Sequence, residues 1–141
     1  MSSRLTIPGL LRYAWASPCT ALGLCLAAPA FLAGARARVA DGVVEVALSR
    51  DGQAAWLRKL PFVAITFGHS VIGATAQDLE RLRAHEHEHV RQYERWGPVF
   101  LAAYPLESLW QMLRGRRAYF DNRFEQQARQ GSPPVSKYSK L

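Results

Sequence analysis

Cysteine is scarce in this chain: there are two, Cys19 and Cys25, and both fall in one apolar stretch. That excludes a disulfide framework and a Cys₄ or Cys₂His₂ zinc module. Acidic residues are also few, with eleven Asp+Glu against eighteen Lys+Arg and a formal charge of +7. So basic a balance fits nucleic acid, an anionic membrane surface or plain solubility. No internal repeat is present. Charge itself is missing between Arg12 and Arg36, a gap of 23 residues, which as a helix would span about 34 Å. What remains is ample: 141 residues, 49% apolar and 21% charged. That is one domain's worth of chain, able to bury a modest core and too apolar for wholesale disorder.

The uncharged stretch reads as an apolar leader, residues 1–35. Three readings fit it. As a membrane-spanning anchor it would place Tyr13 and Trp15 at the interface, where aromatic rings prefer to lie. As a cleaved signal peptide it would use Arg4 and Arg12 as its basic region and Ala33-Gly34-Ala35 as a small-residue cleavage site. As a re-entrant or interfacial segment it would be interrupted by Pro18 and Pro29. The expectation is a transmembrane or re-entrant segment. Arg36, Arg38 and Arg50 slightly outweigh Arg4 and Arg12, which favours a cytoplasmic domain after the segment, at the inner membrane if the source is bacterial. Cys19 and Cys25 read as small apolar fillers.

Beyond the leader, Asp41-Gly42 is a turn signal, and Val43-Val44-Glu45-Val46-Ala47-Leu48 reads as a strand. A second turn follows at Ser49-Arg50-Asp51-Gly52. Phe62 to Phe67 reads as another strand, and His69 to Ile72 continues it past a bend at Gly68. The expectation is a small antiparallel β-ribbon of two or three strands. Thr75-Ala76-Gln77-Asp78 matches a capping box and opens a helix that should stop at Gly97-Pro98. Val99 to Leu113 is a strongly apolar second helix, broken or kinked near Pro105. Arg117 to Arg129 is a third. Residues 36–130 thus form an α+β domain, and residues 131–141 are expected to be a disordered tail.

The chemistry lies in His85-Glu86-His87-Glu88-His89. HExxH occurs here in one frame, as His85, Glu86 and His89. On a helical wheel Glu86 and His89 cluster with Leu82 and Tyr93, flanked by His85, Leu79 and Val90, while His87 points to water. Burying a carboxylate and two imidazoles unpaired is costly, and a metal would compensate. Two imidazoles at i and i+4 can reach one ion, and the Glu between them lies beside the site as a general base. Zinc accepts such nitrogen and oxygen ligands. Further on, the third helix offers Glu125, which Phe124 and Ala128 straddle so that it could face a core, although from composition alone it reads as a solvated surface residue. Asp121 and His69 are the alternatives.

HEHEHVRQYERWGP, followed by AAYPLESLW and YFDNRFEQQAR, resembles gluzincin-like zinc metallopeptidase domains. It is similar in particular to small bacterial membrane-associated proteins with an H-E-x-x-H-V-R-Q core and an N-x-F-E-x-x-A block. The resemblance covers roughly residues 65–129. It implies a three-helix zincin-like core in which His85, His89 and Glu125 hold Zn²⁺ and Glu86 is the catalytic base. It implies hydrolysis of a peptide or protein substrate. Position 129 is Arg where gluzincins carry an acid, so Asp121 becomes the nearest residue to orient a His ligand. Tyr104, Tyr119 and His69 are the candidates for contact with substrate. His69 also fits simple packing against the first helix.

A non-catalytic zinc protein with a structural or scaffolding role fits the same residues. No aromatic-interleaved nucleic-acid motif is present, and no nucleic-acid partner is expected. Glu80 with Arg83, and Glu88 with Arg91, look like an ordinary solvated helix face. Arg114, Arg116 and Arg117, next to an apolar helix, suit membrane lipid headgroups.

Overall fold

The computed structural model describes residues 7–49 and 55–133. The apolar leader forms one helix, α1 (Ile7–Leu32), about 39 Å long. Pro18 and Pro29 lie inside it without ending it. Pro18 has no N–H for the Ala14 carbonyl one turn back, and the Ser17 hydroxyl donates to that carbonyl at 2.8 Å instead.

Two strands follow, β1 (Arg36–Ala40) and β2 (Val43–Ser49), paired antiparallel. Asp41 and Gly42 join them, with φ of 50° and 79°, as a tight hairpin turn requires. Residues 50–52 of the expected second turn lie outside the described residues, as does most of the expected tail. A 3₁₀ turn at Ala55–Lys59 leads to β3 (Ala64–Phe67) and β4 (Ser70–Thr75).

The sheet has four strands in the order β1-β2-β4-β3. It is mixed, which corrects the antiparallel ribbon expected from the sequence: β2 and β4 run parallel. The segment expected to extend one strand past Gly68 instead turns back as β4, antiparallel to β3. Gly68 makes that reversal possible. Its φ is 57°, and a Cβ there would meet the Ala16 carbonyl and the Thr20 backbone of α1 at 2.7 and 2.6 Å.

Alternation along the strands builds three layers. Val46, Leu48 and Ile72 face α1 and pack with its Ala27, with Ile65 and Phe67 at the edge. Val43, Ala47 and Val71 face the other way, onto Leu79 and Val90 of α2 (Ala76–Trp96). The N-terminus of α2 is the expected one, since the Thr75 hydroxyl accepts from the Asp78 N–H at 3.0 Å. Gly97 caps the other end. A 3₁₀ turn (Gly97–Val99) then leads into α3 (Phe100–Leu113), which continues through Pro105 as one helix.

The last helix, α4 (Arg123–Gln130), starts six residues later than expected. Asn122 is the reason. It is buried, its Oδ1 accepts from the Phe124 N–H at 2.8 Å, and its Nδ2 donates to Ser108 Oγ at 2.8 Å and the Tyr104 carbonyl at 3.2 Å. The cap fixes both where α4 begins and where it sits on α3.

Candidate metal centre

The wheel places His85, Glu86 and His89 on the inner face of α2, and all three are buried there. Glu125, on the first turn of α4, is buried opposite them. His85 Nε2 lies 3.3 Å from Glu125 Oε2, and His89 Nε2 lies 3.2 Å from Glu125 Oε1. One ligand atom from each of the three residues falls within 4.8 Å of the others, a group that could hold a metal ion. Two atoms bound to one zinc at about 2.0–2.1 Å with tetrahedral angles stand about 3.3 Å apart. The two His–Glu separations match that spacing.

The protonation pattern sharpens the point. Gln92 Nε2 donates to the Phe124 carbonyl at 2.9 Å. A carbonyl only accepts, so the Gln92 amide is fixed with its oxygen toward His89, 2.8 Å from Nδ1. His89 Nδ1–H therefore donates to Gln92, and in the neutral ring the lone pair is on Nε2, facing Glu125. Two acceptors then oppose each other in a buried site. Glu125 Oε2 has no hydrogen bond among the described residues. A cation placed between these groups would relieve that opposition. In its absence only a shared proton relieves them, and the groups shift that way. Burial opposes the charged form of both, yet Glu125 pulls the His89 pKa up, and the two imidazoles hold the Glu125 carboxyl well below the usual carboxylate range.

Three neighbours steady the group. The Tyr104 hydroxyl donates to Glu125 Oε1 at 2.6 Å, and burial together with that carboxylate pushes the phenol pKa far up, so it stays a donor. Arg129 holds its guanidinium 3.9 Å from Glu125 Oε2. Glu86 lies beside the imidazoles with its Oε2 accepting from Thr66 Oγ1 of β3 at 2.7 Å. Burial raises its pKa, against the pull of His89 and Thr66.

The other candidates are elsewhere. Asp121 does not orient a histidine: its carboxylate accepts from the Arg117 N–H at 2.8 Å near the surface. Gln92 does that work for His89, and sequence reasoning missed it; its signal was a polar residue on the apolar face, three after His89. His69 packs rather than approaching the site. Its ring stacks on Tyr13 at 3.8 Å and its Nε2 lies 2.9 Å from Glu94 Oε1. Tyr119 packs on Phe120, with Arg129 over its ring. His87 is half-buried rather than fully in water, and burial lowers its pKa. Arg83 is not on a solvated face either. It reaches β2 and clasps the buried Glu45 at 2.7 and 3.1 Å, while Arg38 binds the same carboxylate at 2.8 Å. Arg91 pairs with Glu88 as expected.

No protein-family model, curated protein or solved structure matches the chain. The functional reading therefore rests on the chemistry of the site.

Proposed function

We propose that the protein is a membrane-associated, gluzincin-like zinc metallopeptidase. The observation that carries the reading is the convergence of His85 Nε2, His89 Nε2 and the Glu125 carboxylate on one point, beside a buried Glu86. Two imidazoles and a carboxylate are a donor set that zinc favours. Zinc bound there would polarise a peptide carbonyl and acidify a water.

The chain's own residues supply the rest. Glu86 takes the proton of the attacking water and gives it to the leaving amine nitrogen. Its raised pKa suits both halves of that exchange. Thr66 holds one carboxylate oxygen and leaves the other to exchange the proton. Gln92 keeps the His89 lone pair pointed inward, and Tyr104 steadies Glu125.

The test is metal content of the purified full chain by elemental mass spectrometry, followed by peptide hydrolysis. About one zinc per chain is expected, lost in His89→Ala and kept in Glu86→Gln, with hydrolysis lost in both. Hydrolysis that survives Glu86→Gln would sink the mechanism. A chain that takes up no metal would sink the whole reading. A second reading, a structural zinc that pins α2 to α4, is favoured by the burial of all three ligands. It predicts loss of stability on chelation with no substrate cut.

A further inference from the structure

α1 meets the rest of the chain along one face, where Thr20 accepts from the His69 N–H at 2.8 Å and the Trp15 ring lies against Gly97. The middle of that face is Tyr13, Ala16, Cys19, Gly23, Ala27 and Ala30, at steps of three or four. Tyr13 donates to the Gly42 carbonyl at 3.0 Å. Ala16 and Cys19 pack with Tyr93 and Phe100. A Cβ on Gly23 would stand 2.1 Å from Ser70 Oγ. Ala27 and Ala30 cover Val46 and Ile72 on the sheet. The docked length, Tyr13 to Ala30, is about 25 Å of helix.

The outer face is different. Leu11, Leu22 and Leu26 are 65, 39 and 57% exposed. The helix is apolar enough to cross a membrane by composition, yet little of it is buried in the fold.

Spanning is incompatible with the docking. A hydrocarbon core about 30 Å thick would surround the whole docked length and what lies against it. That includes the His69–Glu94 pair and the four-stranded sheet, whose edge strands β1 and β3 pair on one side only among the described residues. Open sheet edges leave backbone groups without partners in lipid, which the bilayer interior does not tolerate. The geometry points instead to a helix lying in the membrane plane. We propose that the outer face of α1 rests in the acyl–headgroup boundary of an anionic bilayer, with both helix ends on the same side.

Two further observations agree. A free-standing interfacial helix needs a polar face, and α1 has none because the domain, not water, covers that side. In addition α3 leaves Leu106, Leu109, Trp110 and Leu113 exposed, next to Arg114 and Arg116. Its 14 residues are too short to cross, at about 21 Å, so lipid contact there is interfacial by length alone.

The inference rests on the membrane-associated half of the proposed function and not on the metal centre. Its test counts labels. The full chain carries Cys25→Ser with Pro8→Cys and Ala33→Cys, and is reconstituted in vesicles of phosphatidylcholine and phosphatidylglycerol. A membrane-impermeant maleimide is added, and intact mass gives the labels per molecule. The parent with buried Cys19 alone is the blank. An in-plane helix gives molecules with two labels or none, however the chain is oriented. A spanning helix gives one label on every molecule and overturns the proposal. A chain that does not float with the vesicles overturns the membrane half of the function as well, while metal content of the same sample judges the metal half separately. If circular dichroism shows that this pair perturbs folding, Gly9→Cys with Arg36→Cys gives the same count.

Discussion

His89 Nδ1 and Gln92 Oε1 lie 2.8 Å apart on α2, and the same amide's nitrogen reaches the Phe124 carbonyl on α4 at 2.9 Å. One side chain therefore sets the tautomer of His89 and ties together the two helices that carry the candidate ligands.

Replacing Gln92 should weaken metal binding without touching a ligand. Gln92→Leu is expected to reduce zinc affinity by about 10–100-fold. Gln92→Glu keeps an acceptor for His89 Nδ1 and should recover most of it. Competition titration against a chromophoric chelator checks both, and equal losses in the two variants would show that packing, not the hydrogen bond, was removed.

Metal uptake should depend on pH through His89. Its pKa is raised above 6.5 because the Glu125 carboxylate outweighs the effect of burial. A bound metal displaces that proton. Affinity should therefore be full at alkaline pH and fall as pH drops, with the fall beginning above the ordinary histidine range. Zinc affinity that is flat between pH 8 and 6 would contradict the assigned geometry.

Glu45 should make the fold acid-labile, independently of the metal. It is buried, and although burial alone would raise its pKa, Arg83 and Arg38 lower it below 4.5. A carboxyl with a depressed folded pKa contributes stability above its unfolded value of about 4.3. That contribution is lost as pH falls through the folded value. Glu45→Gln should reduce stability at neutral pH by about 3 kcal/mol, the scale for breaking a buried ion pair. It should also flatten the stability curve below about pH 4.5. Urea titrations of both proteins from pH 7 to 3 test the slope and the offset together.

Gly23 should tolerate no side chain. A Cβ would lie 2.1 Å from Ser70 Oγ and 2.7 Å from Phe67 Cβ. Gly23→Leu forces α1 off the sheet and should lower stability by about 1–3 kcal/mol. Thermal unfolding in detergent reads it. The outward Leu22→Ala, on the exposed side of the same helix, is the control and should change little.

The α2 helix was legible because its signals are local. Thr75 and Asp78 form the cap, Gly97 the stop, and the 3.6-residue period sorts His85, Glu86 and His89 from the outer face. Glu125 was harder: Phe124 and Ala128 beside it hinted at a core, but its burial depends on α2, 36 residues away. β1 escaped because Arg36-Ala37-Arg38-Val39-Ala40 is an edge strand with almost no buried face and so no alternation to read. The parallel β2–β4 pairing escaped because it joins segments separated by the 3₁₀ turn and β3, and no local pattern encodes such a partner. The late start of α4 follows from Asn122, whose cap is stabilised by Tyr104 and Ser108 on another helix.

Tyr104 and Pro105 are neighbours on α3, and their adjacency has a mechanical side. Pro105 offers no N–H to the carbonyl of Leu101, so the ladder of α3 lacks a rung there. The helix is softest beside the residue whose hydroxyl steadies Glu125. The half beyond that soft point carries Leu106, Leu109, Trp110 and Leu113 outward. A bend of α3 driven through those outer side chains would fall one residue from the hydrogen-bond partner of Glu125, and α3 would then work as a lever with its short arm at the candidate metal centre.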